Sequence, residues 1–330
     1  MKDGHLDVVG IGNAIVDVLA QTDDAFLNTH DLPKGAMTLI DEEQANTLYG
    51  QMGPGVECSG GSAANTIAGI AALGGRAGFV GKVRDDQLGN VFSHDLKSLG
   101  VEFGTPPASQ GAPTARCLVL VTPDAQRTMS TFLGACVALG PDDVDDAQIA
   151  RAKVTYLEGY LWDPPQAKEA FRKAMDAAHG AGRKVALSLS DPFCVDRYRH
   201  EFVELAEHQV DVLFANEAEI TSLYQAEDFD TALQHVHGHC EIAVLTRGPL
   251  GSVVVSGDEL HVIDPEPVPS LVDTTGAGDL YAAGFLAGLT QGLDLHTCGR
   301  MGSVAAAEVI SHFGARPEAD LSALVQERVL

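Results

Sequence analysis

After Pro141 the chain repeats one pattern, and that pattern decides what it can fold into. Residues 154–157, 185–189, 210–214 and 242–245 are apolar runs of strand length, separated by helical stretches at 164–180, 195–208 and 228–239. A strand that reads apolar almost without interruption needs cover on both faces, and the intervening amphipathic helices supply it. The fold class is therefore α/β, a mainly parallel sheet sandwiched by helices. Another such run, Leu6 to Ile11, opens the chain. Ligands of a sheet of this kind bind beyond the carboxyl ends of its strands. Three polar clusters fall at such ends: Ser190-Asp191, Asn216-Glu217-Ala218-Glu219 and Thr246-Arg247-Gly248-Pro249-Leu250-Gly251.

The stretch from Val101 to Leu133 breaks the pattern. Residues 116–121 and 127–132 alternate β-formers around the turn chemistry of 122–126, which predicts a hairpin. No helix separates its strands, so it does not belong to the parallel series. With parts of 13–50, where 36–40 reads as a strand, it is expected to build a small β-sheet lid over the substrate. The expectation is one catalytic domain over 1–330, with a lid drawn from about 13–50 and 103–135.

Charge narrows the partners. With 46 acidic against 21 basic residues the formal charge is −25, which argues against nucleic acid and anionic membrane surfaces. It does not exclude ATP, whose phosphates can be held by backbone donors and Mg²⁺. Cys58, Cys117, Cys136, Cys194, Cys240 and Cys298 are scattered without a Cys-x-x-Cys pair, as expected of reduced thiols. The N-terminus lacks a basic region followed by an apolar core, and no apolar run reaches about 18 residues. These features predict a cytoplasmic chain, monomer or homodimer, without membrane partner.

The densest motif is Asp273-Thr274-Thr275-Gly276-Ala277-Gly278-Asp279, followed by a helix of small and apolar residues. A glycine-bearing turn that opens a buried helix leaves N–H groups free at Gly276, Ala277 and Gly278, and the helix dipole favours an anion there. A carboxylate, Asp279, stands among them. Two readings follow: Thr274 or Thr275 caps the helix with Asp279 a dipole partner, or the N–H groups form an anion hole with Asp279 a base beside it. Other motifs are weaker. Gly10-x-Gly12 suggests a dinucleotide fingerprint, but the third glycine would fall at Ile15. Gly81-Lys82 is not a P-loop, since Val83 stands where Ser or Thr is needed. His235, His237 and His239 end an apparent helix, where alternate residues do not share a face.

The motif ending at Asp279, with its small-residue helix, resembles the C-terminal signature of the ribokinase, or PfkB, family of ATP-dependent sugar and nucleoside kinases. The resemblance extends along the chain. Asn13 and Asp17 match residues that hold sugar hydroxyls, and Gly60-Gly61 with Asn65 resembles the N-terminal signature that contacts the sugar. Asn216 and Glu219 look like the element that orders Mg²⁺ and phosphate through water. Thr246, Gly248 and Gly251 are similar to the nucleotide loop.

What the resemblance implies is in-line transfer of the γ-phosphoryl group of MgATP to a primary hydroxyl. Asp279 would take the hydroxyl's proton, kept ionised by the helix terminus, while N–H groups at Gly276, Ala277 and Gly278 stabilise the moving phosphoryl. Asp273 is implied as a candidate ligand of a monovalent cation such as K⁺, although Glu318 stands where ion-binding members often carry a small residue. Asn13 with Asp17, the stretch Glu158-Gly159-Tyr160-Leu161-Trp162 and the two-part lid look closest to the adenosine-kinase branch, so the expected acceptor is the 5′-hydroxyl of adenosine. Trp162 is expected in the core. The alternatives are a sugar kinase of the ribose or fructose class, a non-catalytic nucleoside-binding protein, and an NAD oxidoreductase.

Overall fold

Strand order across the larger sheet of the computed structural model runs Glu259–Ile263, Ser252–Ser256, Ile242–Thr246, Val212–Asn216, Lys184–Ser188, Ala152–Glu158, Leu6–Ile11, Ala77–Val80, Glu102–Phe103. The structure describes residues 4–124 and 126–330. Met1 to Asp3, part of the N-terminal reading, and Ala125, part of the hairpin turn, lie outside the described residues. Neighbouring strands are parallel from Ile242–Thr246 to Glu102–Phe103, and the last two strands in sequence return antiparallel.

Alternate residues of each strand enter two cores, as a doubly covered sheet requires. Val8, Tyr156, Ala186, Val212 and Val244 face Ile67, Leu280, Phe285 and Val304 on one side. Val9, Leu157, Leu187, Leu213 and Leu245 face Phe171, Phe202 and Ile220 on the other. The small-residue helix, Ala277–Gln291, is buried all round because it packs against both Ser62–Ala72 and Leu295–Val309. A Cβ on Gly284 would stand 2.4 Å from Met301 O, and one on Gly69 2.7 Å from Ala283 Cβ, so glycine sets how closely these helices approach.

The second sheet has five strands, in the order Met37–Leu39, Arg127–Phe132, Ala115–Val121, Ile15–Gln21, Gly55–Gly60. The hairpin pairs antiparallel. The strand Gly55–Gly60 lies outside the two segments read from sequence. Its exposed Val56 and its glycines gave no β pattern. Helices Asp24–Thr29 and Glu42–Gln51 were also missed, although Asp41 and Gln44 form the capping box their spacing permits. These helices cover the outer face of the sheet, packing Leu27 and Leu48 on Val18, Leu118 and Leu120.

The inner face carries two rows that cross all five strands. One row is Cys58, Asp17, Cys117, Thr131, Leu39, and the next is Val56, Leu19, Val119, Met129, Met37. Elsewhere, the stretch read as helix over 228–239 ends at Val236, with His237 bonded to Gly257 O and His239 to Tyr224. Among the described residues no helix is long and apolar enough to cross a membrane.

Candidate active site

Strand order reverses between Leu6–Ile11 and Ala152–Glu158, and the crevice beyond their carboxyl ends is where a ligand of this architecture binds. Glu158 is the last residue of the strand Ala152–Glu158, at the edge of that crevice. It is buried, and its carboxylate accepts from Asn13 Nδ2 at 2.6 Å, Asn13 N at 3.3 Å and Ala63 N at 2.8 Å. Burial pushes its carboxyl up to about 7, against the pull of those three donors. Gly12 is obligatory here, since a Cβ would lie 2.4 Å from Glu158 Oε2.

Asn13 therefore has its side-chain nitrogen engaged within the protein, where the sequence reading gave it a sugar hydroxyl. Glu158 was missed as a site residue. A carboxylate at the end of a buried strand was the available signal. The dinucleotide alternative fails at the same place, because Gly12 is followed by the strand Ile15–Gln21 and not by a helix.

Gly60 and Gly61 fit their positions by the atoms they lack. A Cβ on Gly60 would stand 2.3 Å from Asp17 Oδ2, and one on Gly61 2.3 Å from Asn13 O. Gly61 has φ 94° and caps the helix Ser62–Ala72. That helix carries two donors to Asp279: Ser62 Oγ at 2.6 Å from Oδ1 and Asn65 Nδ2 at 2.9 Å from Oδ2. Among the described residues Asn65 Oδ1 is buried without a partner.

Asp279 lies in the first turn of Ala277–Gln291, whose cap is Gly276 at φ 78° and neither Thr274 nor Thr275. Burial raises its carboxyl above the usual range, while Ser62, Asn65 and the charge of Arg316 pull it down. Burial thus opposes the ionised form that the helix terminus favours. The anion hole is also smaller than expected, because Ala277 N donates to Thr274 O at 3.2 Å. Gly278 has open space where a Cβ would be, so a ligand can come close to its backbone.

Asp17 projects from the second sheet toward the same place. Among the described residues its carboxylate has no hydrogen-bond partner. Burial raises it to about 6, with Arg316 and Arg127 opposing and Asp279 adding to the rise. Arg316 was not singled out in the sequence. It donates to Ser59 O, Ser59 Oγ and Ala64 O, and its charge reaches Asp17 and Asp279.

On the nucleotide side, Asn216 and Thr246 are register partners at the ends of adjacent parallel strands. Asn216 caps Glu217–Tyr224 in a full capping box: its Oδ1 accepts from Glu219 N, while Glu219 accepts from Asn216 N at 2.8 Å and Nδ2 at 2.6 Å. Burial takes Glu219 up to about 7. Gly248 and Gly251 make the next turn at φ 55° and 82°, where a Cβ on Gly251 would lie 2.1 Å from Ile263 O.

Asp273 does not fit a cation site. Its Oδ1 accepts from Thr275 N and Oγ1 at 3.1 and 2.8 Å, its Oδ2 accepts from Gly314 N, and Arg127 Nη2 lies 2.8 Å from Oδ2. A guanidinium already supplies the positive charge there. Arg127, which the sequence marked only as part of a hairpin, thus ties the small sheet to the loop before Asp279. Tyr160 is partly exposed, but desolvation of its hydroxyl, joined by the charges of Asp191, Asp279 and Glu219, raises its phenol. Trp162 is core, its Nε1 donating to Glu201.

Comparison with known proteins matches this arrangement to a family. The model of the pfkB family carbohydrate kinases matches residues 37–321. The adenosine kinase of Sinorhizobium meliloti is 52% identical, with a TM-score of 0.91 over 98% of this chain and 99% of that one. A probable sugar kinase of Rhizobium etli CFN 42 is 49% identical, with a TM-score of 0.92 over 98% of each chain. The adenosine kinase of Saccharomyces cerevisiae is 28% identical over 93% of this chain and 95% of its own. The relatives support the adenosine-kinase branch and a ribokinase-like fold, and enzymes of this kind are ATP-dependent phosphotransferases with a hydroxyl acceptor. This chain belongs to the pfkB family of carbohydrate kinases.

Proposed function

We propose that the chain phosphorylates the 5′-hydroxyl of a nucleoside, adenosine to AMP, with MgATP as donor. The observation that carries the acceptor class is the pair of rows on the inner face of the small sheet. Asp17 lies in one row, and the next row is wholly apolar: Val56, Leu19, Val119, Met129 and Met37. A free sugar has hydroxyls on every side and would leave such a row unused. A nucleoside offers vicinal ribose hydroxyls to Asp17 and an apolar base face to the row beside it. Val56 and Met37, 69% and 46% exposed, have room to be covered by a ligand. The small sheet then acts as a lid, with Arg127 and Asp273 as one of its fastenings.

In this reading the acceptor hydroxyl lies at Asp279, between Ser62 and Asn65. Asp279 orients it and takes its proton as the oxygen attacks the γ-phosphorus. The bond from that phosphorus to the β–γ bridging oxygen breaks, ADP leaves, and the proton passes from Asp279 to solvent. The N–H groups of Gly276 and Gly278 face the transferring oxygens, where fixed donors act most strongly as charge develops. Asn216, Thr246, Gly248 and Gly251 line the nucleotide side. Mg²⁺ arriving with ATP would neutralise phosphate charge. Each oxygen of Glu219 already accepts one hydrogen bond, which suits it to receive one more from metal-bound water rather than to ligate directly. Six free thiols fit a reducing, cytoplasmic setting.

The sugar-kinase reading is supported by the resemblance to the Rhizobium etli protein and by sugar kinases among the more distant relatives. A panel of adenosine, inosine, ribose and fructose with MgATP separates the two. Turnover of adenosine with little of ribose or fructose is expected, and no turnover of adenosine would overturn the nucleoside reading.

A further inference from the structure

Arg316 is half-buried, and its hydrogen bonds all go to neutral acceptors. Nε and Nη2 reach Ser59 O at 3.2 and 3.0 Å, Nη2 also reaches Ser59 Oγ at 3.0 Å, and Nη1 reaches Ala64 O at 2.7 Å. Ser59 belongs to the last strand of the small sheet, and Ala64 to the helix that carries Ser62 and Asn65. Arg316 therefore grips both elements from the segment that follows Leu295–Val309. Among the described residues it makes no ion pair within 4 Å, so its charge is not cancelled by a direct partner. An unpaired guanidinium in a partly desolvated place is costly unless carboxylates close by share its field. Those within reach are Asp17 on the small sheet, Asp279 on the buried helix and Asp95 on Gln87–Ser98, which accepts from Ser59 N.

We propose that Arg316 is a positioning residue: clamped by Ser59 and Ala64, it holds one fixed positive charge beside the two acceptor-side carboxylates, Asp17 and Asp279. Because it is clamped, the charge cannot swing onto either carboxylate and block it. Both stay free for substrate, with the ionised form favoured by the nearby charge, and the root of the small sheet is held against the helix that orients Asp279. This rests on the kinase reading above, in which those two carboxylates meet the acceptor.

Other groups act on the same carboxylates. Asp279 faces Ser62 and Asn65, and its charge is felt by Tyr156, Glu158 and Tyr160 at the end of the central strands. Asp17 faces Arg127, Cys58 and Cys117 within its own sheet, and Asp279 across the crevice. Arg127 is already 2.8 Å from Asp273, whereas Arg316 acts on both Asp17 and Asp279.

The test compares Arg316→Met and Arg316→Lys in the full chain with MgATP and adenosine. Removing an opposite charge at this range lets a carboxyl rise by about one unit or more. The acid limb of kcat/KM should move to higher pH by that amount in Arg316→Met and stay in place in Arg316→Lys, which keeps the charge but loses the fork. Titration of ¹³C-labelled aspartate carboxyls by NMR reads the same shift without substrate. If Arg316→Met does not fold, Arg316→Gln, which keeps a donor for Ser59, takes its place. An equal fall of activity at every pH in both variants, with unmoved carboxyl titrations, overturns the inference and leaves Arg316 structural. The two readings fail separately: no turnover by the unmodified chain would count against the kinase reading, while the NMR shift would still decide the inference.

Discussion

Ser62 Oγ donates to Asp279 Oδ1 at 2.6 Å, joining the first residue of one helix to the first turn of another 217 positions later. With Asn65 on the second oxygen, both edges of the carboxylate are fixed and it cannot rotate about its last bond. Hydrogen bonds to a charged group are worth about 1.5–3 kcal/mol. Ser62→Ala should lower kcat/KM with adenosine roughly tenfold or more. It should also move the acid limb to higher pH, because the lost bond favoured the ionised form. Steady-state kinetics from pH 5 to about 9 checks both, and an unchanged limb would remove Ser62 from the site.

Asp279→Asn keeps the shape and both neighbours but cannot take a proton. Turnover is expected to fall by about 10²–10⁴-fold, with adenosine binding retained in calorimetry. Turnover within a few-fold of the parent would exclude Asp279 as the base.

Asp17, at about 6, sets a second limb. Below that pH its carboxyl is protonated and loses acceptor capacity for vicinal hydroxyls, so KM for adenosine should rise as pH falls through it. Asp17→Asn should raise that KM at neutral pH and flatten its pH dependence, with kcat less affected. A KM that still climbs at low pH in the variant would assign the limb to another group.

Leu19 sits beside Val56 and Val119 in the apolar row. Leu19→Asn removes apolar cover worth about 1–2 kcal/mol, roughly tenfold in KM for a nucleoside. Any residual activity on ribose should not change. Equal loss on both acceptors would separate the row from base recognition.

Gly276 combines φ 78° with a neighbour that leaves no room, since its Cβ would lie 2.7 Å from Ala315 Cβ. Gly276→Ala should cost about 1–3 kcal/mol of stability in urea titration and lower kcat by disturbing the turn before Asp279. Gly278→Ala meets open space and should leave stability nearly unchanged while obstructing the phosphoryl side, so the pair separates folding from function.

The parallel sheet was legible in the sequence because its strands are continuous apolar runs, a pattern that depends on no partner: 154–157 and 242–245 lie within observed strands, and 185–189 overruns the strand Lys184–Ser188 by one residue. The Asp273 to Asp279 stretch was legible because tight turns and helix starts are local chemistry. Where contacts join distant segments, the sequence was silent. It gave no sign that Asn13 would donate to Glu158, that Arg127 would lie against Asp273, or that Arg316 would clamp Ser59 and Ala64. Each of those pairs is more than 140 positions apart, and an isolated Asn, Glu or Arg carries no periodicity. Local order also hid one strand of the small sheet, since Gly55–Gly60 is a strand only because Ile15–Gln21 lies beside it. The chain's own pattern thus determined where a ligand could bind, at the carboxyl ends of parallel strands. Only the tertiary structure decided which charges meet there, because burial and opposing charge act through space, and they bring Asp17, Asp279 and Arg316 into one field.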